Sequence, residues 1–139
     1  MRRFVLALFF VAGCQDLRDY RGQWTGGLAA DPELQHGVAC DPAMSPRAQL
    51  TIEAVDHVSL RGQLAVTPML PNVTLESIKR ASGDALGEAR VGHDALRSYL
   101  AFLPTGWLTV VSLFPDERVE VRVISGTDDL YCLFLLRRP

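Results

Sequence analysis

The chain predicts an all-β domain: a single antiparallel β-barrel or β-sandwich of about eight strands, connected mostly as a meander. Apolar residues recur at alternate positions over several short stretches, most cleanly at Val119, Val121 and Val123, the period of a half-buried strand. Turn-forming residues interrupt the chain at spacings of about ten residues, the rhythm of sandwiches and barrels. Residues 82–98 are ambiguous in pattern and carry Gly83, Gly87 and Gly92, which argue against a stable helix.

The elements follow in order. Residues 20–28 form the first strand, with Trp24 at its centre. Gly22, Gly26 and Gly27 there mark a bulge or a close backbone approach. Residues 29–46 are rich in Pro, Asp and Ala without a period and read as a long loop containing Cys40. So long a loop in a compact domain is functional or needs a tie. Residues 48–55 and 58–66 alternate on either side of Asp56-His57 and read as a hairpin. Pro68 and Pro71 break the pattern over residues 67–72, after which Val73, Leu75 and residues 77–79 allow a short strand.

Residues 94–99 form a helical turn or begin a strand, and residues 99–103 are strand-like up to the turn Pro104-Thr105-Gly106. Residues 107–114 are strongly β-forming and apolar on both faces, which suits a central core strand or the wall of a ligand cavity. Pro115-Asp116-Glu117 and residues 126–129 are turns. The last strand, residues 130–136, is apolar on both faces and expects cover on both.

The first 14 residues carry a different signal. Arg2 and Arg3 precede an apolar run over residues 4–12, a charged and an apolar region as in a secretory signal. The run is too short to span a bilayer, which takes about 20 residues. Val11-Ala12-Gly13-Cys14 resembles the lipobox of bacterial lipoproteins, with Val11 in place of the commoner Leu. The resemblance implies diacylglyceryl transfer to the Cys14 thiol, then cleavage between Gly13 and Cys14 by signal peptidase II. Residues 1–13 would be the signal, 14–19 a lipidated tether and 20–139 the β-domain. Membrane attachment would run through acyl chains, including palmitate, on Cys14, since two or more chains hold firmly where one does not. Gln15 lacks the Asp that retains such proteins in the inner membrane, which makes the outer membrane of the cell envelope the expected address.

With Cys14 assigned to lipid, Cys40 and Cys132 remain as an even pair in an oxidising compartment, and a disulfide between them is expected; two separate buried thiols are the alternative. Loss of Arg2 and Arg3 moves the formal net charge from −2 to −4. No basic stripe favours nucleic acid as a partner. His36, His57 and His93 lack ligand spacing and neither remaining cysteine sits in a CxxC motif, so no metal or cofactor is expected. Asp116-Glu117 and Asp128-Asp129 are paired acids placed in turns, where backbone hydrogen bonding explains them. Ser45, Ser59 and Ser112 do not sit in a Gly-x-Ser-x-Gly turn, and no catalytic residues are assigned.

Gly22-Gln23-Trp24 near the start and Arg137-Arg138 near the end are similar to the lipocalin and wider calycin pattern. In that family a first-strand Trp packs at the closed end of an eight-stranded barrel, beneath an Arg from near the end of the chain. The resemblance implies a barrel that takes a small apolar ligand. The expected function is therefore that of a lipid-anchored, non-catalytic envelope protein binding a small apolar ligand or an envelope component. The alternative is an interaction module with a packed core that contacts another envelope protein.

Overall fold

The computed structural model describes residues 16–29, 38–80, 95–103, 106–125 and 130–139. A 3-10 turn η1 (Leu17–Tyr20) leads into β1 (Gly22–Gly27); β2 (Val38–Ala39) and the 3-10 turn η2 (Pro42–Met44) precede β3 (Arg47–Val55). There follow β4 (Ser59–Thr67), β5 (Leu70–Arg80), β6 (Arg97–Phe102), β7 (Leu108–Phe114), β8 (Arg118–Ile124) and β9 (Leu130–Leu136). The order is β1-β3-β4-β5-β6-β7-β8-β9, an antiparallel meander, with β2 added parallel to β9.

This one hydrogen-bonded run folds over into two four-stranded sheets, β1-β3-β4-β5 and β6-β7-β8-β9, which face one another across a shared core as a sandwich. Both seams carry backbone hydrogen bonds. At one, Lys79 pairs with Leu100 and Arg80 with Tyr99. At the other, the amides of Thr25 and Arg137 each donate to the other's carbonyl at 2.9 and 3.0 Å, and the Ala29 amide donates to the Leu133 carbonyl at 2.8 Å.

Alternation explains the first sheet. Ala48, Leu50 and Ile52 lie opposite Val66, Leu64 and Gly62, and all face the core. The turn between β3 and β4 is closed by Asp56, whose Oδ1 accepts from the amides of Val58 and Ser59, both at 2.8 Å. Those two donors hold its carboxyl below the usual range. A register shift between Ile52 and Ala54 returns Val55 to the core opposite Leu60. Gly62 sits at that kink because a Cβ there would stand 1.9 Å from the Thr51 carbonyl oxygen.

Two boundaries differ from the sequence reading. The first strand starts at Gly22, because the chain turns through η1, and Leu17 and Tyr20 of that turn are buried in the core. The structured domain thus reaches back into residues read as tether. β5 starts at Leu70, inside the expected break. Pro71 is accommodated because it falls in the register shift between the Leu64–Val73 and Val66–Leu70 pairs, a bulge position where a missing N–H is tolerated.

The second sheet is buried on both faces. Val111, Leu113, Val119, Val121, Val123, Cys132, Phe134 and Leu136 join the central core. Val110, Ser112, Arg122 and Leu133, on the opposite face, are also buried. That agrees with the core reading of residues 107–114 and with two-sided cover of the last strand. The loop read over residues 29–46 carries β2 and η2 within it.

Candidate functional site

The end of the sandwich at the start of β1 is sealed. Gly22 adopts a φ of +115°, which swings Trp24 inward, and Trp24 is fully buried. Its Nε1 donates to the Tyr20 carbonyl at 2.8 Å, and its ring stacks on Tyr20 with centroids 5.8 Å apart. Tyr20 in turn donates its hydroxyl to the Phe114 carbonyl at the end of β7. Burial, aided by the nearby charges of Asp116, Glu117 and Asp19, pushes the Tyr20 hydroxyl up to about 12.

Arg138 closes the arrangement from outside. Its guanidinium lies 4.1 Å from the centroid of the Trp24 ring. Nη1 donates to the Arg21 carbonyl at 2.8 Å and Nη2 donates to the Asp19 carbonyl. One planar cation thus serves an aromatic face and two carbonyls of the incoming chain, a geometry suited to guanidinium rather than ammonium. A Cβ at Gly22 would also stand 2.7 Å from Arg138 Nη1, so the guanidinium would have to shift to admit one.

The opposite end is tied covalently. Cys40 and Cys132 form a disulfide with Cα atoms 5.2 Å apart, so the loop after β1 is fixed to β9. Cys40 Sγ also lies 4.0 Å from Met69 Sδ in the turn between β4 and β5. The Cys40 amide donates to the Tyr131 carbonyl at 3.1 Å, which extends the β2–β9 pairing. The bridge therefore spans from the second sheet to the top of the first.

A buried polar cluster lies on the outer face of the second sheet. Arg122 Nε donates to the Tyr131 hydroxyl at 2.8 Å, and Nη1 donates to Glu120 Oε2 at 3.0 Å. The hydroxyls of Ser98 and Ser112 share a hydrogen bond at 2.8 Å. Sequence reading missed this cluster. The only signal was a two-residue alternation that placed Glu120 and Arg122 together on one face, which reads as solvated when the cover is unknown.

The remaining candidates disperse. Asp116 and Glu117 stand in the β7–β8 turn, Glu117 with a φ of +57°, as the turn reading expected. His57 is exposed, with Arg97 Nη2 3.4 Å from its Nδ1. Ser45 ends η2 in a left-handed conformation and Ser59 begins β4. Cys14, His36, His93 and Asp128-Asp129 lie outside the described residues. Among the described residues no three His, Cys, Asp or Glu side chains gather to hold a metal, and no helix is long and apolar enough to cross a membrane. No protein-family model, curated protein or solved structure matches the chain.

Proposed function

We propose that this chain is a lipid-anchored cell-envelope protein, held in the outer membrane through Cys14, whose β-domain acts without catalysis by contacting another envelope component. One observation supports the contact role above a carrier role. A single apolar cluster runs from Leu17 and Tyr20 at the sealed end, through Trp24, Leu64, Tyr99 and Phe134, to Cys40 and Leu70 at the disulfide end. Large side chains from both sheets contribute to this cluster, which supports a packed interior with the surface as the place of action.

The second reading keeps a small apolar ligand inside the domain. It is favoured by Arg138 stacked over Trp24 at the sealed end, the arrangement that the calycin resemblance implies. Two measurements decide. Metabolic labelling with a palmitate analogue should mark the chain and be lost in Cys14→Ser; label that persists refutes the anchor. A variant exported without lipid should take up no fluorescent fatty acid; stoichiometric uptake refutes the packed-module reading in favour of the carrier.

A further inference from the structure

Arg97 is a half-buried cation that no carboxylate answers among the described residues. Arg97, Arg118 and Arg122 are the described arginines that the domain partly or wholly buries. Arg118 has Asp116 at 3.8 Å and Glu120 at 4.0 Å, and Arg122 donates to Glu120 at 3.0 Å. Arg97 is held differently. Its Nη1 donates to the Leu96 carbonyl at 3.0 Å, and its Nη2 stands 3.4 Å from His57 Nδ1. Its Nε is buried and has no acceptor among the described residues. A charged donor buried without an acceptor is costly and calls for an explanation.

The surroundings hold this cation opposite His57. Tyr99 donates its hydroxyl to the Asp56 carbonyl at 2.6 Å, which draws the β3–β4 turn of one sheet onto β6 of the other. The Asp56 carboxylate, next to His57 in the chain, is taken up by the amides of Val58 and Ser59. At 3.4 Å from Arg97 Nη2, a neutral His57 Nδ1 accepts at most a long hydrogen bond, and a protonated one accepts none. Nε and Nη2 lie on one edge of the guanidinium, the edge with which Arg18 grips the Asp16 carboxylate at 2.9–3.3 Å. His57 stands on a different element, so a ligand joining it to that edge needs a third oxygen. A planar carboxylate has two and a tetrahedral phosphate has four. We infer that Arg97 and His57 bind a phosphate-type oxyanion between the two sheets. Arg97 Nε and Nη2 donate to two of its oxygens, and His57, with a proton on Nδ1, donates to a third. His57 is exposed in its turn, so its ring can swing aside to admit the ion. The β3–β4 turn lies at the sealed end, where β3 passes Gly22, the end at which Asp16 enters. Free phosphate and a phospholipid headgroup offer the same chemistry there; the headgroup source rests on the proposed anchor at Cys14.

Nuclear magnetic resonance of the full chain carrying Cys14→Ser reads the site through the Arg97 Nε–H signal, independently of lipidation. Inorganic phosphate at constant ionic strength should shift that signal saturably, and chloride should not. Monomeric dihexanoylphosphatidylglycerol supplies the headgroup. Saturation by phosphate alone assigns a free ion, and tighter saturation by the lipid assigns the headgroup. His57→Ala, at an exposed position, should weaken binding about tenfold, the worth of one charge-assisted hydrogen bond. Arg97→Lys keeps the charge but loses the two-donor edge, and should bind at least about tenfold more weakly, read on the His57 ring protons. No saturable shift with either ligand overturns the inference. So does an affinity that His57→Ala and Arg97→Lys leave unchanged.

Discussion

Replacing Gly26 by alanine should separate β1 from β9. A Cβ on Gly26 would stand 1.9 Å from the Leu135 carbonyl oxygen, 2.8 Å from its carbon and 3.1 Å from Leu136 Cα. All three are backbone atoms, so no side chain can swing aside. An ordinary C···O contact is about 3.3 Å, so the strands must part by more than about 1 Å. The seam's hydrogen bonds, now 2.8–3.0 Å, would stretch beyond useful range. Three backbone bonds at about 1 kcal/mol each give a loss of about 3 kcal/mol, a large share of the 5–15 kcal/mol typical of a domain. Gly27 is the internal control, because its nearest neighbours stand at 3.9 Å. Gly27→Ala should be neutral or stabilising by up to about 1 kcal/mol through the unfolded chain. Urea titration followed by tryptophan fluorescence reads both. The midpoint for Gly26→Ala should fall by about 1–2 M with little change in slope. Equal midpoints for the two variants would refute the reasoning, because the seam would then not be held by backbone contact at Gly26.

Two further outcomes are expected. Cys40 and Cys132 lie 92 residues apart, so replacing both by alanine should destabilise by about 4–5 kcal/mol from loop entropy; thiol titration of the denatured, unreduced chain should find neither free, and two free thiols would contradict the bridge. Stability should also fall as pH rises from 10.0 toward about 12, since the unfolded Tyr20 hydroxyl ionises near 10.0 while the folded one keeps its proton to about 12. Tyr20→Phe should remove that part of the fall, and an unchanged alkaline slope in the variant argues against the assignment.

β3 and β4 were legible because one face of each is buried and the other wetter, and β8 because its polar residues alternate with valine; all three lie within a residue or two of their expected bounds. Turns built on Asp56 and Pro115 were legible for the same local reason, since their chemistry needs no distant partner. What escaped depends on contacts remote in sequence. η1 looks polar as a string, yet Leu17 and Tyr20 are buried because β1 and the end of β9 bring Trp24 and Arg138 to them. Pro71 reads as a breaker until the register shift between β4 and β5 gives it a bulge position. Arg122 reads as solvated until its face is seen to be covered. At the sealed end, the Trp and Arg were legible as types at the two extremes of the chain. The Tyr20 hydroxyl reaching Phe114 was not, because nothing in the spacing announces a bond across 94 residues.

Arg138 gathers the first and last described elements at one pole, and the disulfide lies toward the other, with Cys132 at most about 20 Å away along β9. β9 thus carries both closures, the arginine just past its end and the cysteine near its start, so a single strand registers the opening turn and the long loop against one frame.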